Sequence, residues 1–234
     1  MSDFGNAVLA AAHLIWTLDP ELVQIVGLSL VVSVTAVALA ALLGLPAGAA
    51  LALVRFAGRG HVIALVNALM GLPPVVVGLA VYLLLSHSGA LGGLGLLFTP
   101  AAMVIAQMIV VTPIIAALTR QVVEDLWVEY RELLSSLRSS LARSVGTLLW
   151  DGRYTLGTAV LAGFGRAVGE VGAIIIVGGN IRHVTRTMTT AIVLETSKGD
   201  LALAMGLGLI LVVLSILINA GVYWAQEITK RVYG

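Results

Sequence analysis

Apolar residues fill this chain in five long runs: Gln24–Val54, Val62–Leu85, Phe98–Leu118, Thr155–Val177 and Leu201–Trp224. A helix needs about 20 such residues to cross the hydrocarbon core of a bilayer. Lipid offers backbone N–H and C=O groups no partner, so runs of this length predict helices. The alternation of a membrane β-strand is absent. The first run is longer than one crossing requires, which predicts tilt or a kink at Gly44-Leu45-Pro46, where proline removes a helical donor. Between the third and fourth runs, Thr119–Tyr154 mixes both charge signs. Within it Val123, Leu126, Leu133, Leu134, Leu137, Leu141, Val145, Leu148 and Leu149 recur at intervals of three and four. That spacing predicts one or two amphipathic helices outside the membrane, and neither Gly nor Pro interrupts Gln121–Val145. Such a segment either rests on the membrane surface or docks a soluble partner.

Composition agrees with the pattern. Of 234 residues, 59% are hydrophobic and 11% charged, and mean hydropathy is +1.06. Soluble domains carry about a quarter charged residues, so this is an all-α membrane protein, read as a single domain over residues 1–234. The net charge of +1 offers no basic stripe for phosphates, and no nucleic-acid partner is expected. There is no cysteine, which excludes disulfides and thiolate sites.

Lys and Arg are distributed unevenly. Arg182, Arg186 and Lys198 lie between the fourth and fifth runs, against Arg55, Arg59, Arg120, Arg131, Arg138, Arg143, Arg153, Lys230 and Arg231 on the other side. The positive-inside rule then places the N-terminus outside and the C-terminus in the cytoplasm, consistent with five spans. No Lys or Arg precedes Arg55, so the first hydrophobic stretch is expected to remain in the mature protein rather than be removed as a secretory signal.

A P-loop requires Lys-Ser/Thr after a glycine-rich turn, and neither Lys198 nor Lys230 stands in one. ATP hydrolysis by that route would need a partner. His13, His61, His87 and His183 have no second ligand at helical spacing, so neither a metal nor another cofactor is expected.

Two features lie inside apolar runs. Gly71-Leu72-Pro73-Pro74, with Gly78 just beyond, predicts a helix kinked or broken near the membrane middle. Such breaks often line a substrate path, with a purely structural kink as the alternative. The second is Gly165-Arg166-Ala167-Val168-Gly169-Glu170-Val171-Gly172. Its i,i+4 spacing puts Arg166 and Glu170 on one helix face, as a structural ion pair or as groups contacting an anion. Gly165, Gly169 and Gly172 predict close packing on a neighbouring helix. Thr112 and Pro113, with Gly179 and Asn180, complete the candidate path residues.

At these motifs the chain resembles the permease subunits of ABC importers for oxyanions, the molybdate and tungstate type, with the tungstate branch closest. The resemblance runs from the first helix to Lys230 and rests on Gly71–Gly78, Gly163–Gly172, Gly178-Gly179-Asn180-Ile181 and the loop Thr185–Asp200. It implies a multi-pass protein of the cytoplasmic (inner) membrane, held among lipids. It implies two permease copies, a dimeric cytoplasmic ABC ATPase and an extracytoplasmic oxyanion-binding protein. The family's coupling segment begins Glu-Ala-Ala with a glycine six residues after the glutamate. Here Glu132 matches, leucines replace both alanines, Arg138 takes the glycine position, and Asp151 falls where a later proline is usual. Glu132, Ser135, Ser136 and Arg138 are thereby the candidate ATPase contacts, within a cytoplasmic segment of about 120–154. Arginine at that place predicts a right-handed turn or a continuing helix.

The implied function is ATP-driven import of tungstate, with molybdate, sulfate or phosphate as alternative cargoes. Uncharged walls suit passage of a dianion without a deep trap. A gradient-driven secondary transporter would need a midplane relay, yet Arg166 beside Glu170 favours a fixed carboxylate. A non-transporting scaffold is the remaining alternative.

Overall fold

The computed structural model describes Gly5, Leu9, Trp16 and residues 20–233, without the side chains of residues 202, 222 and 225–233. His13 and the side chains of Lys230 and Arg231 lie outside that description. Regular structure among the described residues is helical: α1 (Pro20–Leu53), α2 (Arg59–Met70), α3 (Pro74–Leu85), a 3-10 turn (Gly92–Leu94), α4 (Pro100–Ser136), α5 (Leu141–Asp151), α6 (Arg153–Val168), α7 (Gly172–Gly178), α8 (Met188–Lys198) and α9 (Leu201–Tyr233).

Three of these, α1, α4 and the 203–221 part of α9, are long and apolar enough to span a bilayer singly. The pairs α2–α3 and α6–α7 reach that length only together, and bends of 100° and 58° divide them. Counting each bent pair as one crossing gives the five expected spans.

The α1–α4 pair forms the axis of the bundle. α1 remains one helix through Pro46, so the residues there do not end it. What Gly44-Leu45-Pro46-Ala47-Gly48 supplies is contact. A Cβ at Gly48 would stand 2.3 Å from the Ala116 carbonyl oxygen, and one at Gly44 would stand 3.0 Å from Ile115. Glycines four residues apart let two helix backbones touch, and in lipid that packing drives association. α4 is longer than its apolar run. It carries on without a break from the membrane segment through Thr119 to Ser136, so the amphipathic segment starts as an extension of a span.

Charges sort to the two ends of α1, a helix of 34 residues, about 50 Å long. At its C-terminal end Arg59 donates to the Leu51 carbonyl (2.7 Å) and the Ala52 carbonyl (3.2 Å). Arg59 and Arg120 both pair with Glu124. A cluster of Ala49, Ala52, Val123, Leu134 and Leu148 packs beneath. At the N-terminal end Glu21 binds Arg182 at 2.9 and 2.6 Å. Hydrogen bonding to Glu21 raises the Arg182 guanidinium above its ordinary value. The observed layout matches the asymmetry of the sequence.

Two expectations are corrected here. The segment Thr185–Asp200, read as a loop, contains the helix α8, and its Met188, Thr189, Thr190 and Ala191 are buried. Met188 and Ala191 pack with Leu22, Ile25, Leu207 and Ile210. The turn after α4 is left-handed at Arg138, with φ 49°, rather than right-handed. Ser139 N–H donates to the Leu134 carbonyl and Arg138 N–H to the Ser135 carbonyl, both at 3.0 Å. That is a Schellman closure, whose left-handed position ordinarily belongs to glycine. Holding a side chain there costs about 1–2 kcal/mol. Arg138→Gly is therefore expected to leave the helix ends in place and to stabilise the turn by about 1 kcal/mol. A thermal-unfolding midpoint below that of the wild type would contradict it.

Candidate functional site

The two breaks face each other. Pro73 is extended (φ −64°, ψ 121°) and Pro74 opens α3. Proline restrains the residue before it to extended backbone, so α2 cannot run into α3. Beyond the break, Gly78 meets α7 so closely that a Cβ would stand 2.8 Å from the Ala173 Cα. A Cβ at Gly172 would come within 2.7 Å of Val75. Val77, Val81, Met103, Ala106, Ile174 and Val177 close the core around this crossing.

Glu170 stands in the second break rather than inside a continuous helix, which corrects the single helix expected over Thr155–Val177. Its side chain is 3% exposed. One oxygen accepts the Ala173 N–H at 3.1 Å, capping the start of α7. The other pairs with Arg166, as the spacing predicted. A carboxylate at a helix start satisfies an orphan donor and complements the helix dipole.

The carbonyls freed by the break are also satisfied. Gln107 on α4 donates to the Ala167 carbonyl at 2.8 Å. Thr189 on α8 donates to the Glu170 carbonyl at 2.9 Å. Thr187 and Thr190 form a reciprocal cap at the start of α8, and Ser29 on α1 accepts the Met188 N–H at 2.8 Å. Non-helical backbone at membrane depth persists only where such partners exist. None of Gln107, Thr187 or Thr189 was singled out from sequence. Gln107 had one signal, being the lone amide in the third apolar run.

The remaining path candidates divide. Gly179 (φ 70°) and Asn180 (φ 51°) turn the chain out of α7. Phe98 lies within 2.8 Å of where a Gly179 Cβ would be. Asn180 donates to the Thr190 carbonyl at 3.3 Å, while its own side-chain oxygen is buried without a partner. Thr112 donates to Met108 of its own helix, and Pro113 sits within unbroken α4. Neither hydrogen-bonds to the breaks. The expected packing of Gly165 and Gly169 is corrected. No atom of a neighbouring helix lies within 4 Å of a Cβ at either, whereas Gly163 meets Val111 at 2.9 Å. Gly165 and Gly169 are exposed, as are Thr158 and Ala162. Arg166, 34% exposed, stands beside that open face.

At the far end of α4, Glu132, Ser135, Ser136 and Arg138 are all exposed. Of the amphipathic stripe, Val123, Leu134 and Leu148 are buried, while Leu133, Leu137 and Leu141 remain exposed around the turn. The stripe thus splits into a half that docks α5 and a half that faces outward.

Three helices long and apolar enough to span a bilayer, packed with two bent pairs that reach that length only together, define a polytopic membrane protein. No protein-family model matches the chain. It is 41% identical over 204 residues to a probable anion ABC transporter permease protein of Haloferax volcanii, covering 85% of this chain and 88% of that one. It is 37% identical over 227 residues to the tungstate uptake system permease protein TupB of Peptoclostridium acidaminophilum, 97% of this chain and 100% of the relative. The TupB of Campylobacter jejuni is 40% identical over 155 residues, 66% of this chain and 65% of that protein. The chain belongs to the family of ABC transporter permease proteins.

Proposed function

We propose that this chain is the membrane-spanning subunit of an ATP-driven importer for tungstate in the cytoplasmic membrane. The observation that carries this reading is the likeness to a tungstate uptake permease along 97% of this chain and the whole of the relative. The N-terminal end of α1 faces outward and the Arg138 turn faces the cytoplasm. Two copies of the chain form the pathway, and the open face of α6, with Gly165, Gly169 and Arg166, lines it. A binding protein delivers the anion to the outer end. A dimeric ABC ATPase grips the turn between α4 and α5 and supplies ATP hydrolysis.

Two features of the turn support its role. Leu137 is 68% exposed, flanked by Glu132 and Arg138, which suits an apolar anchor with a charged rim. The turn also continues α4, the helix whose Gln107 holds the α6–α7 break. Tilting α4 would carry motion at the ATPase to that break. ATP binding then biases two arrangements of the bent spans, in the manner of hinge closure.

The test is co-purification in detergent with the ABC ATPase of the same system, comparing wild type with Glu132→Ala/Leu137→Asp. A stable wild-type complex, weakened at least tenfold in the variant, is expected. A wild-type chain that binds no ATPase, or a variant that binds as well, would contradict the reading.

A further inference from the structure

A cavity of about 500 Å³ opens at the outer end of the bundle, where α1, α8 and α9 meet. Its rim carries Arg182, Arg186 and Lys198 against Glu21 and Glu195, and Leu22, Leu203 and Leu207 line its floor. Among the described residues three cations face two carboxylates. Two of the cations are closely matched: Arg182 by a two-pronged contact to Glu21 at 2.9 and 2.6 Å, Lys198 by Glu195 at 2.8 Å. Arg186 is not. Among the described residues it reaches only the already engaged Glu21, at 3.5 Å, and its Nε is buried without a partner there. Yet its side chain is 15% exposed, so most of a guanidinium has left water without a close counterion. A charge in that condition seeks an anion.

We propose that this cavity is a docking site for a tetrahedral oxyanion dianion, with Arg186 as its main ligand and Lys198 as the second. The proposal rests on the oxyanion reading above and adds a place where the anion pauses before entering the membrane. Guanidinium presents a planar fork that matches two oxygens of such an anion. The cavity has room for the dianion with much of its water, at about 30 Å³ per water. Its apolar floor strengthens the attraction by lowering the local dielectric. Glu21 and Glu195 keep the site weak. They compete for the same cations and reclaim them when the anion leaves, so the site collects cargo without storing it. Arg186 directly precedes Thr187, the cap of α8, and Thr189 of that helix donates to the Glu170 carbonyl at the break. An anion held by Arg186 sits three residues from that contact.

The experiment is equilibrium dialysis of the detergent-purified permease–ATPase complex against sodium tungstate, without the binding protein, with tungsten counted by mass spectrometry. Wild type is expected to take up one tungstate per permease chain, displaced by excess molybdate or sulfate. Arg186→Gln is expected to weaken binding at least tenfold. Glu195→Gln, which removes a competing carboxylate, is expected to tighten it several-fold, and this second variant keeps the test decisive should Arg186→Gln fold poorly. No saturable binding by wild type would overturn the proposal, as would both variants within twofold of wild type. ATP-driven uptake on the same preparations separates the two readings: uptake without measurable binding removes the docking site alone.

Discussion

Glu170→Ala is expected to abolish transport and to destabilise the chain by about 1–3 kcal/mol, the cost of leaving a buried donor unsatisfied, because the Arg166 side chain left behind is 34% exposed. The carboxylate acts at two points, pairing with Arg166 and capping the α7 amide of Ala173 at 3.1 Å. Losing it leaves a guanidinium without its partner and an orphan helix donor in the same place. Glu170→Gln keeps an acceptor for Ala173 and removes the charge, so it should fall between alanine and wild type in thermal stability. The double variant Arg166→Leu/Glu170→Leu separates structure from transport. Replacing a buried pair by apolar residues is often neutral for stability, so the double variant should unfold closer to wild type than Glu170→Ala does. Its transport should stay lost if Arg166 faces the pathway. Full transport by the double variant would reduce the pair to scaffolding.

Gly48→Leu is expected to produce the next largest effect, by separating α1 from α4. Even a Cβ would stand 2.3 Å from the Ala116 carbonyl oxygen and 2.8 Å from Thr119. The first is a backbone atom in a continuous helix, which cannot turn aside as a side chain can. Overpacking costs about 1–3 kcal/mol, and more where backbone must move. Gly27→Ala on the same helix supplies the control, because no neighbour lies within 4 Å there and alanine is the better helix former. Melting of the two purified variants in detergent decides the point: a sharp loss for Gly48→Leu, and none for Gly27→Ala. Equal midpoints would show that the α1–α4 contact is not what holds the axis.

Much of this fold was legible because hydrophobic length is a strong signal. The runs beginning at Gln24, Phe98 and Leu201 became α1, α4 and α9, and two adjacent prolines marked the α2–α3 break. Spacing likewise brought Arg166 and Glu170 together. The second break was not legible. Gly169 in an apolar run looks the same whether it packs against a helix or ends one. The partners that stabilise the break, Gln107 and Thr189, come from sequence-distant helices. Gly44 was read with Pro46 as a kink, though its four-residue spacing to Gly48 carried the packing signal. Helix α8 was hidden for a different reason. Its buried start is threonine-rich, and those hydroxyls are satisfied by a reciprocal cap and by Glu170, so low hydropathy disguised a packed element. At Arg138 residue type pointed away from the left-handed turn, and the closing hydrogen bonds to Leu134 and Ser135 prevailed.

Tungstate uptake into proteoliposomes distinguishes a permease moved by a partner ATPase from a carrier that works alone. These would hold the chain with or without its ABC ATPase, with binding protein and tungstate outside and ATP supplied to the ATPase face. The expected result is accumulation that requires ATP and the ATPase, and that disappears in Glu132→Ala/Leu137→Asp. Accumulation by the chain alone under an ion gradient would contradict it and assign the chain to the gradient-driven transporters.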